Sequence, residues 1–310
     1  MAARPRLYYC DHYPIPLPPG HKFPMAKYGL LRGLLEADQL FDLQPAPLAT
    51  PASIALAHDP GYVRDFLGGS LDAKAMRRIG FPWSEELVER TLASAGGTQA
   101  AAMDALESGW GGCLAGGTHH AFRAEGSGFC VFNDIAAAIL RLRAEGRIRR
   151  AAVIDLDVHQ GDGTASIFQA DPNVFTLSIH GEGNFPFRKQ RSVLDIGLSD
   201  GVGDDEYLSR TSDALPLVAE FGPDLVLYQS GVDGLQGDRL GRLSLSHAGL
   251  RERDRMVFDL TKRMGAPVAI TLGGGYAEPI ERTAEARAGT FRAAWAVYMG
   301  RATIGTIAAS

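Results

Sequence analysis

Short apolar runs alternate with longer amphipathic stretches along most of the chain. The runs "LYYC", "IALA", "CLAG", "AAVIDLD", "VFTLSI", "SVLDIGL", "DLVLYQSG" and "PVAITLGG" read as strands. Helical periodicity covers 85–107, 134–145, 204–220, 247–264 and 278–298. Strands that alternate with helices pair in parallel, because each helix returns the chain to the same end of the sheet. The strand runs are apolar almost throughout rather than at every second position, as burial on both faces requires. The pattern predicts a single α/β domain over 1–310, with one mainly parallel sheet of roughly eight strands and helices on both faces. In such a sheet ligands bind beyond the carboxyl ends of the strands.

Unusual polar residues fall at those ends. In "AAVIDLDVHQGDG", Asp155, Asp157 and His159 occupy positions i, i+2 and i+4. On extended backbone they face one side, ~6.6 Å apart per pair. Unpaired carboxylates there would repel each other and be costly to desolvate. No Lys or Arg lies between Ala151 and Phe187 to pair with them, so a metal cation is favoured over a salt-bridge cluster. Asp233, after "DLVLYQSGV", is the best third ligand. Asp157, His159 and Asp233 would hold one catalytic ion and leave a coordination position open. Zn²⁺ fits such a set, and the two carboxylates make it hard enough for Fe²⁺ or Mn²⁺ as well. Asp162, between Gly161 and Gly163, either caps the helix 164–168 or turns back towards the site, and both roles stay open.

Two other strand ends add to this set. "CLAGG" leads to Thr118, His119 and His120, and adjacent histidines opposite spare carboxylates suit acid–base work. Asp155 and Asp162 are free to orient one imidazole each. "TLGGGY" lacks the GKS/T continuation of a phosphate-binding loop. It reads instead as a glycine loop presenting Tyr276, whose hydroxyl can donate to a developing oxyanion.

Composition adds limits. The 310 residues carry a net charge of -5, which gives no basic footprint for nucleic acid. The densest basic patch, Arg141, Arg143, Arg147, Arg149 and Arg150, reads as a solvated helix end. The three cysteines, Cys10, Cys113 and Cys130, form no CxxC pair and read as small buried residues in a reducing compartment. No run approaches the ~18 apolar residues of a membrane span, and the N-terminus lacks an apolar signal core, so a cytoplasmic location without membrane contact is expected.

The elements "GGTHHA", "GFCVFNDIA", "DLDVHQGDGT", "LSIH", "SGVDGLQGDRLGRLSLS" and "LGGGY" occur in this order between about Phe81 and Tyr276. Together they resemble the histone deacetylase family, within the acetoin-utilisation and acetylpolyamine amidohydrolase superfamily on the arginase–deacetylase fold. "HKFPMAKYGLL" and "FPWSEELVERTLASAGGT" are most similar to its class IV and related bacterial branch.

The resemblance implies a zinc-dependent amidohydrolase that removes acyl groups from lysine side chains. It places Zn²⁺ on Asp157, His159 and Asp233, and the tandem histidines at His119 and His120, supported by Asp155 and Asp162 respectively. Tyr276 becomes the transition-state hydroxyl. Gly128, Phe129, Phe185, Leu240 and Gly274 become the lining of the acyl-lysine tunnel. It also implies a structural K⁺ held by Asp155, Asp157, His159, Ser178 and Ile179. Small acylated amines such as acetylpolyamines are the alternative substrates. They need an acidic rim residue, and Leu240 stands where polyamine-selective relatives carry a Glu. Asp11, Asp59 and Glu182 are the other carboxylates within possible reach of the rim. The proline-rich stretch 13–24 is either a rim loop or a plain connector.

Overall fold

The computed structural model describes residues 4–300. The two ends of the expected 1–310 domain lie outside these residues. The strands are β1 (Arg6–Tyr9), β2 (Asp42–Pro45), β3 (Trp110–Cys113), β4 (Ala151–Asp155), β5 (Val174–Gly181), β6 (Leu194–Leu198), β7 (Leu225–Gln229) and β8 (Val268–Thr271). The helices are α1 (Ala26–Asp38), α2 (Pro51–Ala55), α3 (Pro60–Leu67), α4 (Ala73–Ile79), α5 (Glu85–Ser108), α6 (Asp134–Ala144), α7 (Asp162–Phe168), α8 (Asp204–Phe221), α9 (His247–Met264) and α10 (Glu281–Tyr298).

All eight strands form one sheet in the order β2-β1-β3-β8-β7-β4-β5-β6, and every pairing is parallel. Successive residues of the central strands enter different cores. Ala152 and Ile154 of β4, Val226 and Tyr228 of β7, and Val268 and Ile270 of β8 join one apolar cluster. Ala151, Val153, Leu225, Leu227 and Ala269 join the other. Two-sided burial is therefore what the continuous apolar runs encode. Helices α8, α9, α10 and α1 cover the first face, and α5, α6, α2 and α3 the second. No helix among the described residues is long and apolar enough to cross a membrane.

The strand reading of "IALA" is overturned. Ile54 lies in α2, which Pro51 opens and Thr50 caps by accepting from the Ser53 N–H at 3.1 Å. The expected "CLAG" run meets β3 only at Cys113, since the strand itself is WGGC, and the eighth strand is β2, with the sequence DLQP. It sits at the sheet edge, half-exposed and ending in proline, so its apolar pattern is weak. Helix α10 starts at Glu281 rather than 278, beyond Pro279. The extended backbone also ends at Asp155: Asp157 and His159 lie in the bend after β4, not on the strand itself.

Candidate metal centre and active site

The neighbouring strands β3, β8, β7 and β4 run parallel, so their carboxyl ends open at one edge of the sheet. Their following loops bring His119 and His120, Tyr276, Asp233, and Asp157 with His159 to one pocket of about 550 Å³. Ser178 on β5 is the register partner of Asp155 on β4.

Asp157, His159 and Asp233 are buried, and one ligand atom from each lies within 4.8 Å of the others. The His159 Nδ1 is 3.0 Å from Asp157 Oδ1 and 3.0 Å from Asp233 Oδ2. Backbone N–H groups fix the carboxylates: Asp157 Oδ1 accepts from His159 N at 2.9 Å and Asp233 Oδ1 from Val158 N at 3.0 Å. Asp157 Oδ2 is buried without a hydrogen-bond partner among the described residues. Burial and the charge of Asp233 push the Asp157 carboxyl above its ordinary value. A tetrahedral ion with bonds of ~2.0–2.1 Å separates its ligands by ~3.3 Å, close to the spacing here. Two buried carboxylates, a neutral-capable imidazole and an orphaned oxygen therefore fit a divalent cation.

Each tandem histidine is backed by a carboxylate. Asp155 Oδ2 accepts from His119 Nδ1 at 2.7 Å, and Asp162 Oδ1 accepts from His120 Nδ1 at 2.7 Å. Asp162 is the first residue of α7, and its side chain faces the imidazole rather than capping the helix from outside. Both Nε2 atoms are thereby left for a ligand. The rings lie 4.1 Å apart between centroids, and His119 Nε2 is 4.0 Å from Asp157 Oδ1. Burial opposes a charge on His119, but Asp155 and Asp157 outweigh it and hold its pKa at about 9. His120 is pulled well below 6.5 by burial and by the neighbouring charges of His119 and His159. A cation among the three ligands would repel protons from both rings and lower these values further.

Apolar walls lead to this cluster. Phe129, Phe185, Leu240, Gly128 and Gly274 all line the pocket, together with Phe23. The Phe185 ring stands edge-on to His120 at 5.0 Å. Gly128 has φ +54°, and a Cβ there would lie 2.8 Å from His120 Cδ2, so only glycine lets the chain pass this close. Gly274 is equally constrained: a Cβ would lie 2.0 Å from Asp233 Oδ2. Tyr276 lines the same pocket, its hydroxyl has no hydrogen-bond partner among the described residues, and burial raises its pKa well above 10. The proline-rich stretch is a wall element, since Phe23 packs against Phe129 at 5.3 Å and His21 Nε2 is 2.9 Å from the Gly80 carbonyl. Asp11, Asp59 and Glu182 do not line the pocket: Asp11 pairs with Arg32, and Asp59 caps α3.

Several positioning residues escaped the sequence reading. Asp134, the first residue of α6, accepts from Thr118 N at 2.7 Å and Gly117 N at 3.0 Å, fixing the loop before the histidines. Lys27 on α1 is buried, donates to the Gly274 carbonyl at 2.8 Å, and sits 4.5 Å over the Tyr276 ring. Burial and Arg287 push its pKa well down. Arg287 donates to the Gly273 and Gly274 carbonyls. Arg253 donates to the carbonyls of Leu156 and Gly231, each beside a metal ligand segment, and is fixed by Asp254. The usable signal was an arginine on the apolar stripe of α10, among Ala284, Ala288 and Phe291. Arg253, between Leu250 and Val257 on α9, and Lys27, in line with Leu31 and Leu35 on α1, carry the same mark.

The family model of the histone deacetylase domain matches residues 21–293. The chain belongs to the histone deacetylase family. Histone deacetylase 2 of Arabidopsis thaliana is 30% identical over 277 residues, covering 83% of this chain and 70% of that protein. Histone deacetylase 6 of the same plant is 34% identical over 260 residues, covering 74% of this chain and 53% of that protein. An uncharacterized protein of Picosynechococcus is 47% identical over 300 residues, covering 95% and 99%. As a histone deacetylase family member, the protein is a hydrolase of the deacetylase or deacylase type. The family is typically metal-dependent, and the buried triad is able to hold the ion.

Proposed function

We propose that the protein is a zinc-dependent deacylase of acyl-lysine side chains. One observation carries this reading: a buried Asp157/His159/Asp233 triad with an unpartnered oxygen faces two carboxylate-backed imidazoles and a free phenol in one aromatic-walled pocket. Asp157, His159 and Asp233 would hold the ion. When bound, it supplies Lewis acidity to the acyl carbonyl and to the attacking water. Fe²⁺ suits the same ligands.

The chain's own groups do the rest. Phe129 and Phe185 exclude water around the alkyl stem of the substrate lysine. Asp162 holds the His120 Nδ1 proton, so Nε2 accepts the proton of the attacking water and later delivers it to the leaving amine. His119, held by Asp155, acts as an electrostatic partner beside the developing charge. Tyr276 donates a hydrogen bond to the oxyanion that forms on the acyl oxygen. The products are a free amine and a carboxylate. Behind the triad, the register pair Asp155 and Ser178, with the carbonyls of Asp157, His159 and Ile179, is our proposed seat for a structural K⁺.

Polyamine conjugates are disfavoured because, among the described residues, no exposed carboxylate lines the pocket to meet a second ammonium. The test is a substrate panel on metal-quantified protein: acetyl-lysine peptides, longer-chain acyl-lysine peptides and acetylpolyamines. Release of free lysine peptide supports the reading. Hydrolysis of polyamines alone, or of no substrate by protein carrying one ion per chain, overturns it.

A further inference from the structure

The chain carries 36 acidic against 31 basic side chains, yet its pocket mouth has the opposite sign. Of the charged side chains lining the pocket, the exposed ones are Arg77, Arg78 and Arg242. Phe187, 83% exposed, lines the same mouth and stands edge-on to Phe185 at 6.3 Å. Arg78 pairs with Glu125, and Arg242 Nη1 with Asp200 Oδ2 at 3.1 Å, but neither carboxylate is part of the lining. Arg77, in the last turn of α4, makes no ion pair among the described residues. Arg188, next to Phe187, is exposed as well.

Resting on the acyl-lysine reading above, we propose that this mouth docks an acidic segment of the substrate polypeptide. The acyl-lysine enters between Phe129 and Phe185 while flanking Asp or Glu side chains meet the three arginines. A single exposed ion pair contributes little. A docked acidic segment, however, meets Arg77, which has no ion pair among the described residues, together with Arg78 and Arg242, whose carboxylate partners offset only part of their charge. Arginine also offers a fork that binds a carboxylate through two N–H groups. The exposed Phe187 ring gives the peptide an apolar shelf beside these charges. A basic segment, or a polyamine tail, meets repulsion at the same place. Complementary rim charge acts on encounter and selection more than on the chemical step, so the effect belongs in kcat/KM.

The experiment uses metal-loaded full-length protein and three acetyl-lysine peptides of equal length, with flanks of Asp/Glu, of neutral residues, or of Lys/Arg. At low salt kcat/KM should fall in that order, with about ten-fold between the extremes. At high salt the spread should shrink towards unity. Arg77→Glu should lower the acidic-to-basic ratio, and Arg242→Gln should lower it less, because it changes the rim charge by one unit rather than two. Turnover of all three peptides at equal kcat/KM, or a preference for basic flanks, overturns the docking proposal and leaves the acyl-lysine reading intact. No turnover of any peptide overturns both.

Discussion

Replacing Tyr276 with Phe removes one oxygen and separates catalysis from stability. The hydroxyl has no hydrogen-bond partner among the described residues, so its loss orphans no buried group. Fold stability should then stay within ~0.5 kcal/mol of the unaltered protein. Catalysis should suffer far more, because in the proposed mechanism the hydroxyl donates only when charge develops on the acyl oxygen. Removing one such donor typically costs ~10²–10³ in kcat, or about 2.7–4 kcal/mol of barrier. KM should move little, since the lost interaction forms only in the transition state. Burial holds the Tyr276 pKa well above 10, so the group is a donor across the neutral range and the rate loss should be the same at mildly acid and mildly alkaline pH. Tyr62→Phe is the control: its hydroxyl donates to the buried Val131 carbonyl at 2.8 Å. That variant should lose ~1 kcal/mol or more of stability and keep its turnover. Steady-state kinetics on an acetyl-lysine peptide, with urea unfolding of both variants, supply the numbers. If Tyr276→Phe retains kcat within about five-fold, the role given to the phenol is wrong.

Three further outcomes follow from the geometry. Gly274→Ala would drive a Cβ to 2.0 Å from Asp233 Oδ2; metal affinity measured by chelator competition should drop about ten-fold or more, and unchanged affinity would show that the loop absorbs the clash. Asp254 accepts from Arg253 and Thr290 in a site without water access, so Asp254→Asn leaves a buried guanidinium without its counter-charge. Urea unfolding should register a loss of ~3–5 kcal/mol, and a loss under ~1 kcal/mol would refute the positioning role of the Arg253 network. His58 is fully buried, accepts from Asn133 N at 2.8 Å, and has its pKa lowered by burial to about 4. The unfolded chain takes up that proton near 6.5 and the folded one only near 4, so stability present above 6.5 is lost as pH falls through this window. The loss approaches ~3 kcal/mol. Denaturant unfolding across that pH range should show a shallower slope in His58→Gln, and identical slopes would sink the assignment.

Much of the architecture and of the site was legible from local pattern. Continuous apolar runs announced β4, β7 and β8 as strands buried on both faces, and the alternation of their residues between two cores is the physical form of that signal. Asp157, His159 and Asp233, the histidine pair and Tyr276 stood out because polar groups directly after apolar strands are costly unless they have work to do. Where the chain departs from such patterns the reading failed. "IALA" is as apolar as a strand but follows a Thr-Pro helix start, and β2 is a strand whose edge position demands no apolar face.

Tertiary structure decided what no window of sequence contains. Strand order sets β3, β8, β7 and β4 side by side, and that adjacency gathers loops more than a hundred residues apart around one triad. It pairs the buried Lys27, Arg253 and Arg287 with carbonyls of the site loops, partners that their own helices do not name. It also sets Arg77, Arg78 and Arg242 around one opening in an acidic chain. Local pattern records how each segment meets water, because burial acts on a residue and its near neighbours. Which distant segments meet one another is fixed only when the whole sheet closes, and the partners of these charges are fixed at the same moment.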